Sequence, residues 1–370
     1  MIPVEPFNIL AYVDFFKRNT LPNGAKCEYF LSWEDALWEL IRAGKIPPRS
    51  KALVPSFWCE DVIENMQDHG VRCVTYRVDS SFQCAEDIII DAISKHTPQV
   101  VVIFHAVGIR NRLLTENTKW LAALDSECIF IEDSVHSIIS PREVSFVRKN
   151  HFIIDSWRKV VPLQGSTIYY KEGDLPSNFR QSRNITLPML EIMSLWFLMQ
   201  VALILQKYTP RYFARPLGLF AEKLKLQSYE KIGDTSYSSG TLGVCTYLSQ
   251  RLAVDRIRDS KTSQVEVYET LIGDLIQNNN RVFPIWKRKT DAGLMKAYPI
   301  GLRLPFAEKF IQTLRSSGLL VRSELDESIW GKENNVIFLP LGPQLSVSDI
   351  RAVCDIVDQA LNTFDATMPA

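Results

Sequence analysis

Residues 98–108, PQVVVIFHAVG, decide the fold of this chain. The five residues from Val100 to Phe104 are all apolar, so this predicted strand has no face suited to water. The segments on either side, AEDIIIDAISKH (85–96) and KWLAALDSE (119–127), have helical patterns. An apolar strand between helices is typical of a parallel sheet that helices cover on both faces.

The same alternation of helices and strands continues along the first half of the chain. SWEDALWELIRAG (32–44) has clear helix signals, because Ser32 can cap its start, Asp35 completes a capping-box pattern and Gly44 suits its end. The other expected elements are the helix EDVIENMQDHG (60–70) and the strands KALVPSF (51–57), VRCVTYRVD (71–79), CIFIEDSVHS (128–137) and HFIIDSW (151–157). We therefore predict an α/β fold whose large domain holds a mostly parallel sheet covered by helices.

A second, smaller α/β unit is expected at the C-terminal end. Its predicted elements are a long amphipathic helix (248–276), the strands AYPIGLRL (297–304) and NNVIFLPLG (334–342), and the helices FAEKFIQTLRSSG (306–318) and SVSDIRAVCDIVDQAL (346–361). We divide the chain into a large domain, 1–245, and a small C-terminal domain, 246–370. A helical insertion occupies about 172–231 of the large domain.

The insertion contains LPMLEIMSLWFLMQVALILQKY (187–208), which is apolar enough to raise the question of a membrane span. Polar residues interrupt it, so its apolar runs are shorter than the roughly 20 residues that a bilayer requires. We expect a buried or dimer-facing helix that covers the mouth of a site or enlarges a dimer interface, and packing without a functional role is the alternative. Contact with a membrane surface stays open because basic residues follow: Arg211, Arg215, Lys223 and Lys225.

Composition limits the classes of function. The chain has 370 residues, of which 46% are hydrophobic and 23% charged, as in a globular protein with a large core. Lys+Arg and Asp+Glu balance at 42 each, so no net charge indicates nucleic acid as a partner. The seven cysteines form no CxxC pair or metal-spaced cluster, which favours structural thiols in a reducing cytoplasm and no metal site.

Chemically useful side chains follow the predicted strands. In parallel sheets, ligands bind beyond the carboxyl ends of the strands. Asp133 and His136 follow the strand CIFIED, and Lys159 follows the next strand, HFIIDSW. A lysine amine can hold the aldehyde of pyridoxal phosphate (PLP) as a Schiff base, a carboxylate can keep its pyridine nitrogen protonated, and a donor can approach its phenolic oxygen. Taken singly these residues could be a loop cap, a satisfied histidine and a surface lysine, but their joint order indicates a PLP site.

Further short segments, spread over nearly the whole chain, also indicate a PLP enzyme. They are the first helix with Ala36 and Leu37, then LVPSFWC, GVRCVTYRVD, IFHAVG, FIEDSVHS and SWRKVVPLQG, and finally AYPIGLRL with FLPLGP in the small domain. In this order the chain resembles a divergent member of the sugar-aminotransferase (DegT/StrS-like) family of fold-type I PLP enzymes. The resemblance implies that Lys159 is the catalytic, cofactor-bound lysine, Asp133 the partner of the pyridine nitrogen, His136 the neighbour of the cofactor oxygen and Ser156 a phosphate ligand.

Three further positions depart from the family pattern. The family begins its first helix with a glycine and a small hydroxyl residue whose N–H groups hold the phosphate. Here Ser32 is retained as a possible ligand, but Trp33 replaces the glycine, and Glu34 and Asp35 put carboxylates at that helix end. The aromatic that stacks on the cofactor aligns near Cys59, beside Phe57 and Trp58, and we take Trp58 as the candidate. The loop that the partner subunit contributes reads DTSYSSGTLGV (234–244), without the expected asparagine or arginine.

Two functions follow from the resemblance and its departures. The first is a cytoplasmic, homodimeric PLP-dependent aminotransferase that moves an amino group from an amino-acid donor to a keto sugar or related metabolite. The second is a catalytically eroded relative that binds a ligand or a partner as a dimer. Asp133, His136 and Lys159 favour the enzyme, whereas the carboxylates after Trp33 and the altered partner loop favour the eroded relative.

Overall fold

The computed structural model describes residues 3, 5–116, 118–176, 179, 186–232, 239–303 and 306–367. Within these ranges, seven strands form one large sheet in the order β1-β7-β6-β5-β4-β2-β3. The strands are β1 (Ala25–Phe30), β2 (Lys51–Pro55), β3 (Arg72–Tyr76), β4 (Val100–Phe104), β5 (Ile129–Asp133), β6 (His151–Ile154) and β7 (Ser166–Lys171). Five neighbouring strands of this sheet are parallel, namely β3, β2, β4, β5 and β6, which confirms the predicted mostly parallel sheet.

The apolar segment at residues 100–104 forms β4, between β2 and β5, and all five of its residues are buried. Phe104 pairs with Asp133, and Asp133 pairs with Ile154. The carboxyl ends of β4, β5 and β6 therefore meet at one edge of the sheet, where the loops that follow them can form a common site.

The remaining two strands give the sheet an antiparallel end that the sequence analysis did not predict. β7 runs antiparallel to β6, and β1 runs antiparallel to β7. The β1 segment, AKCEYF, has only one buried residue, so it lacks the apolar run that marked the central strands.

The helices of this part are α1 (Trp33–Arg42), α2 (Glu60–Asp68), α3 (Glu86–His96) and the short α4 (Arg112–Thr115). Ser32 caps α1 as predicted, since its Oγ accepts a hydrogen bond from the Asp35 N–H over 3.1 Å. Gly44 follows the helix at φ +74°, a left-handed conformation that glycine adopts without strain. The predicted helix at 119–127 is instead a short 3-10 turn, Lys119–Ala123, because Leu124 leaves the helical conformation.

A second sheet of three antiparallel strands lies in the C-terminal part of the described chain. Its strands are β8 (Val282–Pro284), β9 (Ala297–Leu302) and β10 (Asn335–Pro340), with β9 in the centre. Its helices are α8 (Val254–Asn278), α9 (Phe306–Ser316), α10 (Ile329–Glu333) and α11 (Val347–Thr367). The predicted helix at 248–276 is two helices, since α7 (Gly243–Ser249) ends before α8 begins. The boundary between residues 245 and 246 stays a prediction.

The insertion forms a helical hairpin. α5 (Leu187–Tyr208) and α6 (Arg211–Glu230) pack against each other, and only two residues join them. α6 continues through Pro216, so the predicted insertion is helical on both sides of this proline. Among the described helices, α5 alone is long and apolar enough to cross a membrane. The most apolar part of α5 has a mean hydropathy of 1.8, and one third of that part is buried in the protein.

Candidate active site

A cavity of about 240 Å³ lies between the loops after β2, β5 and β6, the start of α1, and helices α2 and α6. Five of the six predicted site residues line it: Trp58, Asp133, His136, Ser156 and Lys159. Ser32 does not, because it caps α1 and its hydroxyl donates to Asp35 Oδ2 over 2.6 Å. The structure therefore brings together the residues that the sequence placed at the strand ends.

Asp133 ends β5 and is buried. Its Oδ2 accepts the Trp58 Nε1–H over 2.7 Å, and its Oδ1 accepts the Val135 N–H over 3.1 Å. Burial raises the pKa of Asp133 to about 6, although both hydrogen bonds oppose the rise. The carboxyl group therefore remains largely ionised at neutral pH and keeps further lone pairs for a donor in the cavity.

Of the two aromatic residues before Cys59, Trp58 faces the cavity and Phe57 does not. Trp58 and Cys59 both line it, and the indole of Trp33 packs edge-on against that of Trp58 at 5.6 Å between ring centroids. Phe57 points elsewhere, stacking on Phe82 at 4.3 Å in the core. The aromatic candidate of the sequence analysis is thus at the cavity wall, although its N–H is bound to Asp133.

His136 is held by a strained turn after β4. Val107 has φ +61°, which is unusual for a β-branched residue, and its N–H donates to His136 Nδ1 over 3.1 Å. Gly108 follows at φ +89°, where an added Cβ would lie 2.6 Å from the His136 carbonyl oxygen. Because Nδ1 accepts a hydrogen bond, the neutral imidazole carries its proton on Nε2.

The surroundings of His136 keep its imidazole neutral, so that Nε2–H can donate a hydrogen bond. Burial lowers its pKa well below the usual value, and Lys296, Lys159 and Lys225 lower it further. The ring packs between Phe104 and Phe338, with centroid distances of 5.1 and 6.0 Å. His136 is therefore a neutral hydrogen-bond donor at physiological pH.

Lys159 ends a tight turn after β6. The 3-10 turn Trp157–Lys159 is fixed because Trp157 N–H donates to the Gly165 carbonyl over 2.8 Å and its indole donates to Thr167 Oγ1 over 3.0 Å. Gly165 is required there, since an added Cβ would lie 2.4 Å from the Trp157 ring. The glycine that closes SWRKVVPLQG thus allows the tryptophan to fix the turn that carries Lys159.

Tyr229, on α6, covers Lys159 and was not found by sequence reasoning. Lys159 Nζ lies 4.9 Å from the centre of the Tyr229 ring, and Arg158 Cζ lies 4.4 Å from it. Burial raises the pKa of Tyr229, but Lys159, Lys225 and Arg158 outweigh it and bring that pKa to about 7. Burial likewise opposes the charge on Lys159, but Tyr229 holds the pKa of that amine above its usual value.

Unpartnered donors face the cavity beside Lys159. Ser156 Oγ, Trp33 Nε1 and Arg158 Nε and Nη1 are buried without a hydrogen-bond partner among the described residues. A buried unsatisfied donor costs roughly 1–3 kcal/mol, so four donor atoms in one cavity suit an anionic ligand. Glu34 opposes such a ligand, because it lines the same cavity with its Oε1 3.7 Å from Arg158 Nη2.

Asp35, the other acidic residue of the altered helix end, is occupied outside the cavity. Its Oδ1 accepts the Ser239 N–H over 2.7 Å, and its Oδ2 accepts the Ser32 hydroxyl. Only one of the two carboxylates therefore faces the site. Ser239 belongs to the predicted partner loop, and residues 234–238 of that loop, which include Tyr237 and Ser238, lie outside the described residues.

No family model matches this chain, and no curated protein matches its sequence. Solved structures of similar fold do match over most of its length. Spr1654 from Streptococcus pneumoniae, assigned as a sugar aminotransferase and solved in a PLP form, is 14% identical with a TM-score of 0.62, covering 98% of this chain and 99% of that chain. PseC from Helicobacter pylori, an aminotransferase involved in the biosynthesis of pseudoaminic acid, is 11% identical with a TM-score of 0.54, covering 91% and 87%. NtdA from Bacillus subtilis, solved with bound cofactor PMP, is 12% identical with a TM-score of 0.57, covering 91% and 73%. The predicted fold is thereby confirmed: the chain has the fold of these aminotransferase structures.

Proposed function

We propose that this chain is a PLP-dependent aminotransferase that moves an amino group from an amino-acid donor to a keto sugar or a related metabolite. One observation carries the proposal. Lys159, Asp133 and His136 line a single cavity at the carboxyl ends of adjacent strands, together with unpartnered donors on Ser156 and Arg158. The similar fold of aminotransferases solved with PLP or PMP supports the same assignment.

The cavity residues fit the cofactor in their chemistry. Asp133 would partner the pyridine nitrogen, and His136 would donate from Nε2 to the phenolic oxygen. Ser156 and Arg158 have free donors for the phosphate, and Trp58 forms the adjoining wall. Ser32 stays a prediction as a phosphate ligand, since its hydroxyl is bound to Asp35 and does not line the cavity.

When bound, PLP would supply the aldehyde for covalent capture and the ring that stabilises a carbanion. The residues of the chain would control protons around it. Lys159 must lose its proton to act as a nucleophile, whereas the phenolate of Tyr229 beside it stabilises the charged amine and so opposes that loss. The released amine of Lys159 would then move the substrate proton, while ionised Asp133 keeps the ring nitrogen protonated.

An eroded relative that keeps the fold and binds a ligand remains the second candidate. The Trp58–Asp133 hydrogen bond favours it, because an indole N–H takes one position of the carboxylate that a pyridine N–H would use. Glu34 favours it as well, because its carboxylate repels a phosphate.

Cofactor capture separates the two functions. Purified protein with added PLP is expected to show a visible absorbance band that borohydride bleaches, fixing the label to the peptide that contains Lys159. Lys159→Ala should lose the label, whereas Lys171→Ala, at an exposed lysine ending β7, should keep it. A wild-type protein that stays colourless in saturating PLP would exclude the enzyme.

We propose a cytoplasmic homodimer as the working form. The exposed apolar residues of α5 support it, since Phe197, Val201, Ile204 and Tyr208 follow the four-three-four spacing of a helix that packs on another helix. Phe197 is 66% exposed and Tyr208 75%, and apolar surface of this extent is rarely left free. Wild-type protein should sediment as a dimer at micromolar concentration, and Phe197→Glu should shift it toward monomer. A monomer that floats with anionic vesicles would instead assign this face to a membrane surface.

A further inference from the structure

A second cluster of charged side chains lies between α6 and the small sheet. Lys225 of α6 forms an ion pair with Glu5. Lys296 and Arg322 approach Glu324 from the small-sheet side, at 3.5 and 3.8 Å. Glu5, Lys225, Arg322 and Glu324 line one small cavity of about 50 Å³.

This cluster adjoins the candidate active site. Lys225 Nζ lies 5.4 Å from the centre of the Tyr229 ring, and Lys159 Nζ lies 4.9 Å from the same centre. Phe338 connects the two sites as well, because it packs against His136 and has Lys296 Nζ 4.9 Å from its ring centre. Tyr229 therefore lies between Lys159 and the cluster, and a substrate held at Lys159 would have to pass its ring to reach Lys225.

The cluster holds more positive than negative groups. Lys225, Lys296 and Arg322 face the carboxylates of Glu5 and Glu324. The third carboxylate of this cavity, that of Glu222, is paired with Arg315. Burial would raise the pKa of both acids, but Lys225 and its neighbours bring that of Glu5 below the usual value, and Lys296 and Arg322 bring that of Glu324 to about 2. Without Glu5, three cations would share one carboxylate.

Glu5 reaches the cluster from the N-terminal segment, which is fixed just after it. Phe7 is buried, and the Pro6 carbonyl accepts a hydrogen bond from Gln200 Nε2 over 3.2 Å. The Glu5 side chain itself is 25% exposed. Of the two partners in this ion pair, Glu5 is therefore the partly exposed one and Lys225 the buried one.

We propose that Lys225, Lys296 and Arg322 form a carboxylate-binding subsite beside Lys159, that Glu5 fills this subsite in the free protein, and that the carboxylate of an acidic substrate replaces Glu5 there. The proposal rests on the proposed function in one respect, since Lys159 marks where the substrate would react. The class of ligand follows from the group the cluster already holds, which is a carboxylate paired with Lys225.

Glu5 would act as a tethered competitor. A group on the same chain has a millimolar or higher effective concentration, so it lowers the apparent affinity of a free carboxylate that needs the same cations. The apparent dissociation constant rises by the inverse of the fraction of molecules whose subsite is open. We expect removal of the Glu5 charge to tighten binding by about tenfold, which corresponds to the subsite being open in about one molecule in ten.

The test uses the protein without added PLP and glutarate, an unreactive dicarboxylate, as the probe. Calorimetry should show about tenfold tighter glutarate binding to Glu5→Gln than to wild type. Glu172→Gln is the control. Glu172 forms an exposed ion pair with Lys26 and takes no part in the cluster, so this variant should bind glutarate as tightly as wild type does. Equal affinity of Glu5→Gln and wild type would overturn the proposal.

A second variant and a second probe test whether the gain in affinity comes from the charge of Glu5 and is specific for a carboxylate. Glu5→Asp retains the charge but shortens the side chain, so it folds with its ion pair weakened and should bind glutarate with intermediate affinity. Inorganic phosphate should gain less than glutarate in Glu5→Gln, and a larger gain for phosphate would reject the carboxylate assignment. Borohydride labelling of Lys159 in the same variants reports the proposed function separately, because glutarate binding requires no PLP.

Discussion

The indole N–H of Trp58 donates to the carboxylate of Asp133 over 2.7 Å, joining the loop after β2 to the end of β5. The bond works against the burial that raises the pKa of Asp133. At a pKa of about 6, Asp133 is mostly ionised at physiological pH but titrates close to it. The first two predictions test each partner of this bond.

Asp133→Asn should lower turnover by at least about a hundredfold, or roughly 2.7 kcal/mol of transition-state stabilisation, because an amide cannot keep the ring nitrogen protonated. The apo-protein should not lose stability at neutral pH. The folded-state pKa of Asp133 is raised, so its contribution to stability is present below about pH 4 and is lost as pH rises through about 6. Stopped-flow conversion of PLP to the PMP form with glutamate as donor measures the first effect, and thermal unfolding measures the second. Equal conversion rates in the two proteins would remove Asp133 from the chemistry.

Trp58→Phe should shift the pH dependence of cofactor capture upward. The substitution keeps an aromatic wall but removes the N–H that lowers the pKa of Asp133, so the carboxyl should ionise at higher pH. The measurement is the pH midpoint of PLP binding to the variant and to wild type. Phe57→Leu is the control, since Phe57 packs in the core away from the cavity and should leave the midpoint unchanged. A downward shift in Trp58→Phe, with tighter binding, would mean that Trp58 competes with the cofactor for Asp133.

Tyr229→Phe should remove a phenolate that ionises near neutral pH. In wild type, one tyrosine is expected to titrate with a midpoint of about 7, because Lys159, Lys225 and Arg158 overcome the effect of burial. The lowered pKa also contributes stability that is fully present above the usual tyrosine value of 10 and is lost as pH falls through about 7. Ultraviolet absorbance titration of the apo-protein detects the phenolate directly. Tyr212→Phe, at an 84% exposed position on the same helix, should leave the neutral transition intact, and its persistence in Tyr229→Phe would contradict the assignment.

Asp155→Asn should flatten the dependence of stability on pH in the acidic range. Asp155 is buried at the end of β6, where burial raises its pKa to about 7 although Thr167 and Tyr169 donate hydrogen bonds to it. The sign follows from the raised value: its contribution is complete below about pH 4 and disappears as pH rises through about 7. Unfolding temperatures between these limits should therefore fall less steeply in Asp155→Asn than in wild type. Asp91→Asn, an exposed change on α3, should keep the wild-type slope, and a matching slope in Asp155→Asn would show that this carboxyl is not a source of the pH dependence.

The sequence located most of the candidate site because its residues follow strongly apolar strands. Asp133 ends β5, His136 lies in the loop that follows it, and Lys159 comes after β6, so local pattern and strand order suffice to bring them to one edge. The altered end of α1 was harder to interpret, since the sequence placed two carboxylates near the phosphate position. The structure separates them, because Asp35 binds Ser32 and Ser239 while Glu34 lines the cavity.

By itself, the sequence determined the buried parallel strands, the capped first helix and the order of the chemical groups at the strand ends. All of these depend on short-range patterns, which report how far each segment is buried. Only the tertiary structure decided that Tyr229 lies over Lys159, that Glu5 reaches Lys225 and that Trp58 binds Asp133. These pairs are separated by 70, 220 and 75 residues along the chain. A periodic pattern shows which face of a helix is buried but not what covers it, so contacts at such separations depend on how the whole chain packs.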